Sequence, residues 1–266
     1  MAIHPLIDRD TLDTIRRTGK TSDRLPDRIP LLEQHSLPFD QKADSAVITG
    51  CQILASIPGT LAALSRLLDR GGISHTFLSR EYCCGNDLYR PAIKARDDDA
   101  MAELRQLSKE FVGNNIKMAD GLGAKRLIIF CSPCYPIYKY AFPEKDIVFY
   151  PAAIDDALPA FKLDKKADYY AGCYKLHRRF APVPMDLKSA NRVFSKIEGL
   201  ELNRIKAPSC CYKADGLAHM INGVATDCMV HICTGCYFQA LLNMPAERKV
   251  AIKMLPEFVE EALESI

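Results

Sequence analysis

No part of this 266-residue chain is apolar for long. The longest runs, Leu127 to Phe130 and Ile147 to Phe149, are far too short to cross a bilayer. Neither sign of charge is in excess: 35 basic and 33 acidic residues leave a formal +2, which argues against a nucleic-acid or anionic-membrane partner held by bulk charge. The first ten residues carry charges and a proline where a secretory signal needs a continuous apolar stretch, so a cytoplasmic location is expected. The Cys-x2-Cys-x2-Cys-x3-Cys run of a ferredoxin is missing, and so is any glycine-rich dinucleotide fingerprint. Cysteine itself is missing from the first fifty residues.

Beyond them it is abundant. Eleven cysteines stand at 51, 83, 84, 131, 134, 173, 210, 211, 228, 233 and 236. An odd number without an export signal points to reduced thiols, and clustered reduced thiols point to metal ligation rather than a disulfide framework.

Strand-like runs alternate with helical periodicity from Ser45 onward, the pattern of an α/β fold. Strands are expected at 46–49, 73–79 and 125–131, with helices at 58–69 and 98–122; the second helix follows from Met101, Leu104, Leu107, Phe111 and Val112 at helical spacing. A second alternation places strands at 168–171 and 227–232 and helices at 187–197, 213–222 and 256–265. Residues 1–44, rich in proline and charge with one short helix at 10–17, read as an N-terminal extension. Such a segment serves either as a strap on the body or as a docking arm for a partner.

The two alternations are copies of one unit. Cys131-Ser-Pro-Cys134 and Cys233-Thr-Gly-Cys236 are each followed nine residues later by a proline, Pro143 and Pro245, and then by a short strand entering an acidic helix. Two pseudo-symmetric α/β domains are therefore expected, each a small, mostly parallel sheet flanked by helices. They span 45–163 and 164–266, with the charged stretch Lys162 to Asp168 as linker.

Each copy holds a lone cysteine after a strand, then an adjacent pair, then a Cys-x-x-Cys. The first set is Cys51, Cys83, Cys84, Cys131 and Cys134; the second is Cys173, Cys210, Cys211, Cys233 and Cys236. Only Cys228 has no counterpart, and it reads as a buried strand residue. Structural zinc takes four ligands in a tetrahedron, and adjacent cysteines point apart along the backbone, so zinc fits poorly. An iron–sulfur cluster spreads its metals, so neighbouring cysteines can reach different irons, and a fifth thiolate differs from the usual four-cysteine cubane. Both lone cysteines follow a glycine (Gly50, Gly172), which lets the backbone approach a bulky ligand closely.

These residues resemble the CCG cysteine-rich family, typified by the B subunit of heterodisulfide reductase, over about 46–263. Cys51, Cys83-Cys84-Gly85 and Cys131/Cys134 match its motif in full, whereas the second copy has Tyr212 in place of the glycine. It also has 21 residues between Cys211 and Cys233 against 46 between Cys84 and Cys131, as though a helix were missing. The resemblance implies two non-cubane [4Fe-4S] clusters facing each other at the domain interface, each held by its five cysteines, with a disulfide cleaved between them. It also implies partners: a ferredoxin-like iron–sulfur subunit backed by a flavoprotein.

The expected function is that of an iron–sulfur subunit of a heterodisulfide reductase-like complex, an oxidoreductase on sulfur groups. The alternative is an electron-transfer subunit of a flavin-dependent dehydrogenase or sulfur-oxidation complex, which the altered second motif favours. Lys175, His177 and Arg178, beside Cys173, are candidates to hold an anionic group of the substrate. Arg80, Arg90, Lys94 and His219 read as ordinary surface or packing residues, and Tyr135 and Tyr237 as packing beside each Cys-x-x-Cys.

Overall fold

A computed structural model describes residues 3–265 and has two four-stranded sheets. The first contains β1 (Ser45–Ile48), β2 (His75–Phe77), β3 (Arg126–Ile129) and β4 (Asp146–Phe149). The second contains β5 (Phe161–Tyr170), β6 (Ile197–Ile205), β7 (Cys228–His231) and β8 (Ala251–Met254). The orders are β2-β1-β3-β4 and β6-β5-β7-β8, with every neighbour parallel. The duplication expected from the cysteine spacing is thus a duplication of topology. β1 and β7 are buried along their whole length, which is why both read as short apolar runs rather than alternating ones.

Helices cover the sheets. Pro58–Arg70 joins β1 to β2 and Leu187–Ser195 joins β5 to β6, while Tyr150–Ala157 follows β4 and Leu255–Glu264 follows β8. The long helix Asp98–Gly121, capped by Asp97 accepting from the Ala100 amide, leads into β3. In the second copy the corresponding span keeps only Ala214–Asn222, so the shortened gap has indeed cost a helix.

The two halves pack reciprocally. Pro58–Arg70 lies on Leu255–Glu264, where Thr60 donates to Glu257 at 2.9 Å and Arg66 pairs with Glu260. Its counterpart Leu187–Ser195 lies on Tyr150–Ala157, with Arg192 on Asp155. Equivalent helices exchanging roles across one interface define a pseudo-two-fold axis.

The stretch 162–168 is not a linker. It lies within β5, paired with β6 through a register shift between Lys162 and Lys165. Its charges alternate with Phe161 and Leu163, and that period-two pattern marks a half-buried strand; the junction expected at 163/164 falls inside it. β6, unforeseen in the sequence, is its partner and carries mostly exposed or half-buried residues.

Residues 3–44 form a packed strap. The helix Arg9–Thr18 and the shorter Arg28–Gln34 bury Leu12, Ile15 and Leu32. Pro38 and Asp40 hydrogen-bond the backbone of Phe77 on edge strand β2, leaving that edge covered.

Asp168 ties the second sheet together. Fully buried, it accepts from the amides of Ala225 and Thr226, from the Thr226 hydroxyl and from Asn203. Replacing it strands these donors inside the protein. Asp168→Ala is expected to cost about 3 kcal/mol of stability in urea unfolding, whereas Glu201→Ala, which removes a surface partner of Lys166, is expected to leave the midpoint unmoved.

Candidate metal centre between the two halves

The chain leaves β1 for β2 on one side and returns to β3 on the other, so β1 and β3 flank a topological switch point. Crevices at such points hold ligands in open α/β sheets. Cys51 follows β1 and Cys131 follows β3; Cys173 and Cys233 follow β5 and β7 in the same way. The adjacent pairs arrive from beyond β2 and β6. All ten cysteines therefore gather at the carboxyl ends of strands.

Their pairing repeats. Cys51 Sγ lies 3.3 Å from Cys83 Sγ, and Cys134 donates to Cys84 at 3.2 Å, with Cys131 beside Cys134. In the second set Cys210 neighbours Cys173, Cys211 Sγ lies 3.4 Å from Cys236 Sγ, and Cys233 is beside Cys236. The two sets meet at the pseudo-axis, where Ser132 of one Cys-x-x-Cys stands 3.3 Å from Thr234, its equivalent in the other, and donates to Cys233 at 3.4 Å. A cavity of about 420 Å³ opens there, lined by Cys51, Cys131 and Cys134 of the first set and by all five cysteines of the second. Cys83 and Cys84 lie behind it, buried.

Glycine makes the close approach of these loops possible. Gly50 and Gly172 have φ of +92° and +91°. A Cβ on Gly50 would fall 2.6 Å from Cys131 Cβ, and one on Gly172 would fall 3.3 Å from Cys236 Sγ. Each glycine thus admits the neighbouring Cys-x-x-Cys as well as leaving room for a ligand. Gly85 also has positive φ, but Tyr212, its counterpart, does not; the second loop turns differently there, and Tyr212 points outward, 63% exposed.

Crowding sets the ionisation of the thiols. The hydrogen bond to Cys83, then burial, pushes Cys51 well above the usual thiol value; Cys131 does the same to Cys134, and Cys211 to Cys236. Cys84, accepting from Cys134, and Cys233, accepting from Cys236, are lowered to about 7. Metal ligation takes the deprotonated form, so thiols packed in this way favour a site whose cations relieve their mutual repulsion.

Among the described residues no three His, Cys, Asp or Glu side chains converge on one point as a single metal ion requires. Thiols spread around a shared shell suit a cluster of several metals. The polar atoms agree. Besides Nη2 of Arg28, which pairs with Glu81, the hydroxyls of Tyr169, Tyr170 and Tyr174, Nδ1 of His177 and both ring nitrogens of His231 are buried without a hydrogen-bond partner, these six in the second half. Groups of this kind are normally satisfied, and the donors among them suit the acceptor sulfurs of a bound cluster. The residues present fit an iron–sulfur group.

The strap completes the first set. Glu81, 3% exposed, accepts from the amides of Thr49 (3.0 Å) and Gly50 (2.6 Å) and pairs with Arg28 at 3.1 Å. The amide of Cys83 donates to the carbonyl of Gly19 at 2.7 Å, and the Thr21 hydroxyl is 3.9 Å from Cys51 Sγ. Nothing in the sequence pattern flags Glu81 or Arg28, because a buried ion pair looks like any two charges until folding joins them.

The candidate substrate residues separate. His177 lines the cavity, where burial lowers its pKa to about 4 and keeps it neutral. Lys175 is exposed and donates to the Pro208 carbonyl, and Arg178 is exposed; neither lines the cavity. A cationic patch facing the cysteines is not formed, since the turn after Cys173 aims those two chains outward. Arg90, read as ordinary surface, stands on the cavity rim with Asn86 and Asp87, and the apolar lining includes Ile53, Phe180, Phe238 and Leu176. His219 is exposed, Cys228 is buried at the opposite end of β7 from the cavity, and Tyr135 and Tyr237 are buried packing residues.

Residues 45–136 match the family model of the CCG cysteine-rich domain. Over 192 residues the chain is 25% identical to the D subunit of dihydromethanophenazine:CoB–CoM heterodisulfide reductase from Methanosarcina acetivorans, covering 66% of this chain and 44% of that protein. The equivalent protein from Methanosarcina barkeri is 29% identical over 106 residues, 40% of this chain and 24% of the relative. The chain spans less than half the length of these curated relatives. No helix among the described residues is long and apolar enough to cross a membrane.

Glu81 offers a direct check on how the first set is built. Glu81→Ala leaves Arg28 as an uncompensated buried charge and frees two loop amides, so a loss of about 3–5 kcal/mol is expected in denaturant unfolding. A loss below about 1 kcal/mol would mean that the pair does not hold the Cys51 loop.

Proposed function

We propose that this chain is the iron–sulfur subunit of a heterodisulfide reductase-like complex, carrying out thiol–disulfide redox chemistry at two [4Fe-4S] clusters of non-cubane type. The observation that carries the reading is the meeting of two five-cysteine sets at a pseudo-two-fold axis, with eight of the ten cysteines lining one cavity. Cys51, Cys83, Cys84, Cys131 and Cys134 would hold one cluster, and Cys173, Cys210, Cys211, Cys233 and Cys236 the other.

When bound, such clusters supply electrons one at a time and an iron able to take a sulfur ligand. The chemistry to be served is RSSR′ + 2e⁻ + 2H⁺ giving RSH and R′SH, so two one-electron centres beside one substrate match its demand. The chain's own residues shape the place where this happens. Phe180, Phe238 and Leu176 supply apolar surface to the wall. Asn86 and Arg90 on the rim, the latter 3.7 Å from the Asp87 carboxylate that shares it, offer donors to a polar end of the substrate. The thiolate products take their protons from water entering at that rim.

The two electrons have to come from outside the chain, and the partners we propose are a ferredoxin-like iron–sulfur subunit and a flavoprotein. The names of the relatives support membership of such a complex. An electron-relay role is favoured by one feature only, the exposed Tyr212 where the motif has glycine.

Anaerobic purification followed by iron and sulfide analysis is expected to give about eight irons per chain. EPR of the oxidised protein is expected to change when a thiol product is added, and a reduced one-electron dye is expected to drive disulfide cleavage. About four irons, or spectra indifferent to every thiol tried, would replace the catalytic reading with electron relay.

A further inference from the structure

Duplication makes the two halves a matched comparison. Three residues before the lone cysteine stand Ile48 in one half and Tyr170 in the other; two residues before the Cys-x-x-Cys stand Ile129 and His231. The strand register pairs Ile48 with Ile129 and Tyr170 with His231. All four are fully buried. The same place directly beneath the cysteines is therefore apolar in the first half and polar in the second.

The polar pair is not self-sufficient. The Tyr170 and His231 rings lie 6.0 Å apart, yet neither the hydroxyl nor either ring nitrogen has a partner. A buried hydroxyl is rarely left so unless something supplies an acceptor. Its surroundings identify the acceptor. Tyr170 ends β5 three residues before Cys173, in register with His231 two residues before Cys233, so it stands at the strand end that carries the second set, and Cys236, Cys211, Cys173 and Cys210 are the groups that act on it after burial.

We propose that Tyr170 is a tuning residue of the second centre, donating its hydroxyl hydrogen to a sulfur there, while the first centre has Ile48 in that place and receives no such bond. The inference rests on the reading of the second set as an iron–sulfur site. A hydrogen bond to cluster or ligand sulfur stabilises the more negative, reduced state and raises the reduction potential. Tyr170 thus makes the two centres unequal, and the second takes up an electron more readily than it would with an aliphatic residue in that position.

The test is an anaerobic redox titration of the loaded chain followed by EPR. Tyr170→Phe keeps the ring and its packing and removes only the hydroxyl. One of the two midpoint potentials is expected to fall, with the other and the iron content unchanged. Placing 3-fluorotyrosine at position 170 supplies a more acidic donor of nearly the same size, so the same potential is expected to rise; this arm decides the matter if Tyr170→Phe fails to fold. A wild-type chain loaded at both sets whose potentials ignore both substitutions overturns the tuning role and leaves the proposed function standing. A wild-type chain that holds no iron in its second set overturns both.

Discussion

Five sulfhydryls enclosed in one shell at the tips of a parallel sheet oppose one another's ionisation, and the scaffold around them has to hold them against that repulsion. Hydrogen bonds to a neighbouring sulfur, then burial, hold Cys51, Cys134 and Cys236 far up, and each thiolate formed adds to the opposition. A flexible loop would relax by moving its thiols into water. Here they follow strands buried on both faces, and the chain cannot move without losing sheet hydrogen bonds. Gly50 and Gly172 let the lone-cysteine loops come within contact of the Cys-x-x-Cys turns. Glu81 holds the first of these loops through its amides, although its charge also opposes the Cys51 thiolate. Arg28, paired with that carboxylate, offsets the opposition, so the strap contributes electrostatics as well as cover.

The second constraint is the pseudo-two-fold. Because equivalent helices pack against each other's counterparts, the interface is closed on both sides of the axis, and rotation of one half on the other would break both contacts together. Ser132 and Thr234 sit on that axis. The spacing between the cysteine sets is therefore a property of the packed core rather than of a hinge, and the cavity between them is preformed. A site that must place one substrate against two centres needs this rigidity.

Much of this is legible in the residues. The period and order of the cysteines announce the duplication, and strand-ending glycines locate the loops, because those features are fixed by local sterics and survive in sequence. β6 escapes notice since a largely exposed edge strand such as Glu198-Gly-Leu-Glu-Leu-Asn lacks the apolar density of a core strand. The first half of β5 reads as a linker because its lysines and aspartate mask the alternation with Phe161 and Leu163. Arg28, Glu81 and the Tyr170–His231 pair are invisible for a different reason: their significance is a meeting of residues distant in sequence, and no spacing rule encodes it. The basic run after Cys173 misleads in the opposite direction, since adjacency along the chain places Lys175 near the site while the left-handed turn at Tyr174 sends it elsewhere.

What differs between the halves lies in their linings rather than their frames. Strand order, cysteine order and the positive φ before each lone cysteine are retained in both; a side chain at Gly50 would collide with Cys131 and one at Gly172 would crowd Cys236. One layer away the constraint is weaker. The second half has lost a helix and a motif glycine, and has exchanged two buried isoleucines for tyrosine and histidine. Polar groups are costly in a core, so drift toward them is opposed unless a partner is supplied, and Tyr170 stands among the thiols of the second set. If both sets carry clusters, identical surroundings would give identical potentials and no preferred direction for an electron; unequal surroundings on an equal frame give direction without disturbing distance. Duplication followed by divergence of the lining is a short route to that combination, because the frame is inherited whole and only residues that touch the sulfur shell need to change.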